Sequence, residues 1–390
     1  MSPETEATAA GLSFELSEEQ MLLQSELRRF AEERIHPGEA ERDRTKTFPE
    51  DLVAEMAELG LLGMFVPEEY GGAGFDLVSY CLAVEEISRI SPSLGVTMSV
   101  TNSVACWPIL RFGSEELKRR VLPELATGET LGGFGLTEPG AGSDAAGLRT
   151  RARREGEEWI LDGEKAWITN AGYARYFVVV ARTDPDAGSR GLTAFVVPED
   201  APGFRVGEPE HKLGLRASRT APLELSQCRI PAENLLGEEG RGFEIAMATL
   251  DHSRLGIAAQ SVGIHRRALE LARDYARERE QFGRPIADFQ AIQFKLAEMA
   301  TELEAARTLT LSAASLAGTV SGREAGRLAS EAKLFASEAA NRACAASLQI
   351  HGGNGFHDDY EISRLYRDVR VTTIYEGTSE MQRMVIARRV

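Results

Sequence analysis

Five short stretches of this sequence are rich in small, hydroxyl-bearing and amide residues. They are Phe134-Gly-Leu-Thr-Glu-Pro-Gly-Ala-Gly-Ser143-Asp144, Lys165-Ala-Trp167-Ile-Thr169-Asn170, Arg279-Glu-Gln281-Phe282-Gly283, Gln349-Ile-His-Gly-Gly353-Asn-Gly-Phe356 and Ile374-Tyr-Glu376-Gly-Thr378-Ser-Glu380. Glycines let backbone N–H groups approach a ligand closely, Thr and Ser supply hydrogen-bond donors, and Trp supplies a flat wall. Any one stretch could be a plain turn or cap. Together, at the seams between domains, they point to a large planar cofactor.

Other chemistries lack their parts. Gly140-Ala-Gly142-Ser-Asp-Ala145 matches the relaxed dinucleotide fingerprint, but Pro139 interrupts the approach, and the residues after Ala145 read as strands rather than as the helix of a βαβ unit. There is no GxxxxGK[ST] and no GxSxG, and Ser143 has no evident histidine partner. The six histidines show no metal-ligand spacing, so no metal is expected.

The elements that must hold these stretches fall into three blocks. Ser17 with Gln20 reads as a capping box, Leu23, Leu27, Phe30 and Ala31 recur at helical spacing, and Pro37 is expected to end that segment. Further helices are expected from near Phe48, Asp76, Ser93 and Ser114, giving an all-helical domain over 1–127 with a frayed tail at 1–12. Over 128–237, runs such as Tyr176 to Ala181 and Leu192 to Val197 alternate with turn signals at Asp162-Gly163 and Asp184-Pro185. This predicts antiparallel strands in a barrel or sandwich.

From 238 to 390 helices return: Phe243 to about Arg279, about Phe289 to Ala317, Arg323 to about Ile350, and a short C-terminal one, a four-helix bundle. The fold class is therefore α+β multidomain. In the first bundle helix, Leu250, Ile257, Ile264 and Leu271 form one seven-residue row and Leu255, Val262, Leu269 and Ala276 another. At 100° per residue the rows lie ~140° apart, so one face is expected to serve the bundle and the other a neighbouring subunit.

Composition narrows the partners. A net charge of −16 over 390 residues, with no isolated basic cluster, argues against nucleic acid; Arg149, Arg151, Arg153 and Arg154 are followed at once by Glu155, Glu157 and Glu158. No apolar run is long enough for a membrane span, and the start is neither Arg-rich nor hydrophobic. Cys81, Cys106, Cys228 and Cys344 lie far apart, as buried reduced thiols in a cytoplasmic protein would.

In order and wording, the five stretches together with Leu250-Asp-His-Ser-Arg254-Leu-Gly-Ile-Ala resemble the acyl-CoA dehydrogenase family, from about residue 17 to the C-terminus, and most nearly its short-chain branch and bacterial relatives. The resemblance implies FAD, an α domain, a β domain and an α bundle. It implies that Phe134, Leu136 and Thr137 with Trp167, Ile168 and Thr169 line the isoalloxazine ring, and that Thr378 and Glu380 reach its ribityl and adenosine part. It assigns Arg279, Gln281, Phe282, Gln290, Gln349, Gly352 and Gly353 to the pyrophosphate and adenine across a subunit boundary, hence a homotetramer. It assigns Ser143, also a cofactor contact, with Asp251, Arg254 and Gly377 to the acyl-CoA.

Glu376 is then the expected base. Forming an alkene beside a thioester needs loss of an α proton and a β hydride; a free Glu, with a pKa of about 4.3, is too weak a base until enclosure raises it. The resemblance places oxyanion-type donors for the thioester oxygen at the Glu376 backbone N–H and a flavin hydroxyl. Isovaleryl and long-chain relatives carry their carboxylate immediately before the Arg of the bundle-helix motif, where this chain has Ser253. Glutaryl-type relatives carry an Arg where this chain has Gly95. A straight short- or medium-chain acyl-CoA of fatty acid β-oxidation is thus expected, with electron-transferring flavoprotein as acceptor and the pocket floor on the Leu94 to Asn102 helix. The alternatives are a secondary-metabolism relative acting on a carrier-bound or branched acyl thioester, and a non-catalytic helical interaction protein on the same scaffold.

Overall fold

In the computed structural model the described residues are 15–390; the expected frayed tail at 1–12 lies outside them. The first block is helical: α1 (Glu18–Phe30), α2 (Glu39–Thr45), α3 (Glu50–Glu58), α4 (Leu77–Ile90), α5 (Pro92–Val100), α6 (Trp107–Phe112) and α7 (Glu115–Ala126). The Ser17–Gln20 capping box forms, and the side chains of Asp76, Ser91 and Ser114 cap α4, α5 and α7. Pro37 does not end the first segment. A π turn over Ala31–Ile35 and a 3-10 turn over His36–Gly38 carry the helical path on into α2, because Pro37 sits at the start of a new turn, where its missing N–H costs nothing.

The second block holds β1 (Leu131–Gly135), β2 (Arg151–Glu155), β3 (Glu158–Thr169), β4 (Ala174–Arg182), β5 (Leu192–Pro198), β6 (Phe204–Val206), β7 (Thr220–Pro231) and β8 (Leu235–Leu236). They form one sheet in the order β6-β7-β3-β2-β4-β5-β8, with β1 added on β4. Among the described residues the end strands do not pair, so no closed barrel forms. Most neighbours are antiparallel as predicted; β1, which enters from α7 rather than through a hairpin, runs parallel to β4.

The third block is α8 (Gly242–Glu278), a two-stranded hairpin of β9 (Glu280–Gln281) and β10 (Arg284–Pro285), α9 (Gln290–Leu316) and α10 (Gly322–His351), followed by α11 (Glu361–Val369) and α12 (Ser379–Ala387). Two short helices follow the long ones, where the sequence suggested one. The expectation that a second face of α8 serves another subunit is corrected. Leu255 and Val262 pack in one core with Tyr80, Cys81, Val84 and Ile87 of α4, while Ile264 and Ala276 pack in another with Ala340 and Cys344 of α10. Ile257 and Ile264 of one row and Leu255, Val262 and Ala276 of the other are buried within the chain, while Leu250, Leu269 and Leu271 are half-buried. α4 carries Glu85 and Glu86 into this seam, and they are paired there with Arg266 of α8, Arg307 of α9 and Arg28 of α1.

Candidate active site

The first wall is built where β1 and β3 end side by side. The backbone N–H of Ala166 donates to the Thr137 carbonyl at 2.9 Å, and buried Lys165 donates to the Leu136 carbonyl at 3.2 Å. A register shift in β3 between Lys165 and Ile168 puts Trp167 at φ +63°, which turns its indole outward. That indole is 60% exposed, an unusual state for so large an apolar surface. Thr137, Thr169 and Phe134 are half-buried around it, whereas Ile168, expected on the same wall, points into the core. Leu136 is buried as well.

Asn170 locks the assembly. Its amide nitrogen reaches the Gly132 carbonyl at 3.0 Å and the Thr97 carbonyl and Thr101 hydroxyl at 3.3 Å each, while its Oδ1 is buried without a partner among the described residues. Gly140 and Gly142 have open space where a Cβ would be, and Ser143 beside them is exposed. An uncovered indole face, two hydroxyls and open glycines suit a planar ring with a polar edge, so the residues present fit a flavin.

The carboxyl side chain comes from the turn before α12. Glu376 has φ +52° and Gly377 φ +94°, two successive left-handed residues. For a glutamate this conformation is uncommon and marks a held geometry. Side chains do the holding: Lys333 donates to the Gly377 carbonyl at 2.8 Å, and Gln382 donates to the carbonyls of Glu376 and Gly377 at 3.1 and 2.9 Å. The Glu376 carboxyl is half-buried, and its Oε2 has no hydrogen-bond partner among the described residues. Burial pushes its pKa up, against the opposing pull of the Ser253 hydroxyl, Lys333 and Arg254.

The acid's turn and the wall share one apolar cluster. Tyr375 and Phe134 pack against the same apolar cluster, Val96, Val100, Val104 and Leu215. The Tyr375 hydroxyl donates to Gln260, which in turn donates to the Pro92 carbonyl at 2.8 Å. Nearby, Tyr80 and Ser99 share a hydrogen bond of 2.8 Å above Gly256, where a Cβ would lie 2.4 Å from both hydroxyl oxygens.

Arg254 is buried rather than presented to solvent: it pairs with Asp251 and donates to Ser330 at 3.1 Å, and Asp251 is shared with Arg389 at 2.8 Å. Thr378 caps α12 through the Met381 N–H, and Glu380 is exposed on its first turn.

The remaining expected cofactor residues gather elsewhere. Arg279 ends α8, Gln281 and Phe282 lie in the β9–β10 hairpin, Gln290 opens α9, and Gln349, Gly352 and Gly353 end α10. Tyr275 stacked on His351 at 4.3 Å, and Asn354 bonded to the Tyr275 hydroxyl at 3.0 Å, tie these ends together. Phe282 is 92% exposed, and nothing lies within 4 Å of a Cβ at Gly352 or Gly353. At a rise of ~1.5 Å per residue, α8 separates Ser253 from Arg279 by about 39 Å. The two groups therefore lie far apart along α8.

Sequence reasoning missed Lys333, Gln382 and the buried pair Lys165–Glu138. For Lys333 a signal existed: it falls in a helical row of small residues, Gly326, Ser330, Ser337 and Ala340, all buried. Among the described residues no cluster of His, Cys, Asp or Glu could hold a metal, and no helix is long and apolar enough to cross a membrane.

Three family models match the chain: acyl-CoA dehydrogenase N-terminal domain at 17–129, middle domain at 133–228 and C-terminal domain at 240–390. The short-chain specific acyl-CoA dehydrogenase of Mus musculus is 49% identical over 96% of this chain and 90% of its own length. Butyryl-CoA dehydrogenase from Megasphaera elsdenii superposes with a TM-score of 0.94 at 41% identity, covering 97% of this chain and 99% of that one. A chain solved in a study of the electron transferring flavoprotein of Acidaminococcus fermentans also reaches 0.94, at 44% identity, over 97% and 99% of the two chains.

Proposed function

The chain belongs to the acyl-CoA dehydrogenase family of FAD-dependent oxidoreductases, and within it we propose that this protein converts a straight short- or medium-chain acyl-CoA to the trans-2-enoyl-CoA, with Glu376 as the base. The observation that carries the reading is the Glu376 carboxyl: one oxygen buried and unpartnered, on a left-handed turn whose preceding residue, Tyr375, packs on the same apolar cluster as Phe134.

Glu376 takes the α proton. Burial raises its proton affinity and so brings it closer to that of the carbon acid it must deprotonate. Its backbone N–H is the chain's donor for the thioester oxygen, which stabilises charge as the proton leaves. Trp167, Phe134 and the hydroxyls of Thr137 and Thr169 orient the ring. FAD, when bound, supplies the acceptor for the β hydride. Ser143, Asp251, Arg254 and Gly377 flank the thioester and its pantetheine arm, with the Arg254 charge also acting on the Glu376 carboxyl.

The preference for short chains is supported by the names of the mouse and Megasphaera relatives. A role in β-oxidation and electron-transferring flavoprotein as acceptor follow from the family. The distant group from Arg279 to Gly353, with Thr378 and Glu380 on the near side, supports cofactor sites shared between copies in a homotetramer. The open face of α9 and α10, lined by Ala300, Thr301, Ala305, Thr308, Leu309 and Phe335, offers a contact surface. Four buried, unpaired cysteines suit a reducing compartment such as the cytoplasm.

The test is anaerobic bleaching of the bound flavin by a panel of acyl-CoAs. Bleaching is expected with butyryl- to octanoyl-CoA and not with glutaryl-CoA; a protein purified without flavin absorbance, or one that no acyl-CoA bleaches, would sink the proposal.

A further inference from the structure

Lys333 lies on α10 with its side chain fully enclosed, a rare state for lysine unless the ammonium is used. Its Nζ makes its hydrogen bond to the Gly377 carbonyl, at 2.8 Å, one residue beyond Glu376. We propose that Lys333 is a positioning residue for the base: by holding the Gly377 carbonyl it fixes the left-handed turn from which the Glu376 carboxyl projects, and it sets a cation beside that carboxyl. The inference rests on the reading of Glu376 as the base.

Two observations support it. The Glu376–Gly377 turn is uncommon for a glutamate, and its two carbonyls are satisfied by side chains, Lys333 and Gln382, which come from different helices. Removing either loosens the turn. Second, the charges are arranged around the acid: Arg254 and the Ser253 hydroxyl from α8, Lys333 from α10, Tyr375 alongside and Tyr80 from α4, with Asp251 and Arg389 behind Arg254. Lys333 itself also faces Glu338 and Glu380.

Burial lowers the Lys333 pKa to about 8 against the attraction of Glu376, so the ammonium is charged at neutral pH. It therefore limits how far burial can raise the acid. Both cations draw Glu376 down, but Arg254 divides its charge with Asp251 and Arg389, whereas Lys333 donates to the turn itself.

The experiment uses the holoenzyme. Lys333→Met matches the side chain in size and removes the charge; it is expected to keep flavin absorbance, to slow anaerobic bleaching by butyryl-CoA about tenfold or more through lost aim, and to move the acidic limb of the bleaching rate to higher pH. Lys333→Arg keeps the charge and changes the reach, so the rate should fall while the limb stays. Should Lys333→Met fail to yield holoenzyme, the arginine variant carries the test alone, and an unchanged rate in it overturns the proposal. A Lys333→Met holoenzyme with wild-type rate and limb also overturns it. Glu376→Gln run alongside separates the two readings: if that variant bleaches normally the base lies elsewhere, and if it is silent while Lys333→Met is normal, only the role of Lys333 falls.

Discussion

The ammonium of Lys165 and the carboxylate of Glu138 meet at 2.8 Å inside the β sheet, immediately behind Thr137. Both are almost wholly buried, and the same carboxylate accepts the N–H groups of Arg149 and Thr150 at 2.6 and 2.8 Å. Burial works to raise the Glu138 pKa, but the Lys165 charge and these hydrogen bonds together hold it below the usual carboxylate range. The pair thus pins the segment after β1 that carries Thr137, one of the two half-buried hydroxyls proposed to face the ring.

Glu138→Gln leaves the ammonium buried without its counter-charge. A loss of about 3–5 kcal/mol is expected, read from the urea midpoint, with weaker flavin retention. Adding Lys165→Met should recover part of the stability; a single mutant as stable as wild type would refute the role given to the pair.

Gly377→Ala introduces a Cβ at φ +94°, only 2.7 Å from the Gln382 amide. The left-handed conformation alone costs about 1–2 kcal/mol, and the amide must move away from the carbonyls it holds. Flavin absorbance should persist while kcat falls about tenfold or more. Equal losses of flavin and rate would point to general unfolding instead.

Glu361 receives a two-pronged contact from Arg267, at 2.9 and 2.6 Å, and a further one from Arg364 at 3.2 Å. Burial opposes its charge, yet hydrogen bonds from His36 and Arg267, with the charges of Arg267 and Arg364, hold its pKa far below the usual value. A carboxylate depressed in the folded state contributes stability that is full above its unfolded value of about 4.3 and is lost as pH falls below it. Denaturant midpoints should therefore decline on acidification from pH 5. Glu361→Gln should cost about 3 kcal/mol at pH 7 and flatten that decline; an unaltered slope would assign the acid sensitivity to other groups.

Ala305→Glu places a charge on the exposed face of α9, beside Thr301 and Leu309. Light scattering should show a smaller particle than wild type, with flavin lost in parallel. If the mass is unchanged, the copies meet through another surface.

Much of the frame was legible in the sequence because it is local. Ser17, Asp76 and Ser114 cap helices where their spacing to the following apolar residues predicts, and the long bundle helices begin and end within a residue or two of expectation. The second face of α8 was misread because periodicity shows that a row is buried without showing which chain buries it. Here α4 of the same chain does so. Glu376 was singled out as the proposed base through the resemblance alone, since nothing in a Tyr-Glu-Gly-Thr turn requires one. Lys165 and Glu138 were illegible for a different reason, and the small-residue row around Lys333 was the one available hint to it: a charged residue ordinarily reads as solvated, and its enclosure depends on partners 27 to 44 positions away.

The turn that aims Glu376 is tied down by one donor from α10 and one from α12, the last helix before the C-terminus. α12 is only nine residues long, and so short a helix holds by its packing alone, so the Gln382 tie should let go while the rest of the molecule is still intact. Turnover would then fade at a temperature where circular dichroism still reports full helix content, and return on cooling.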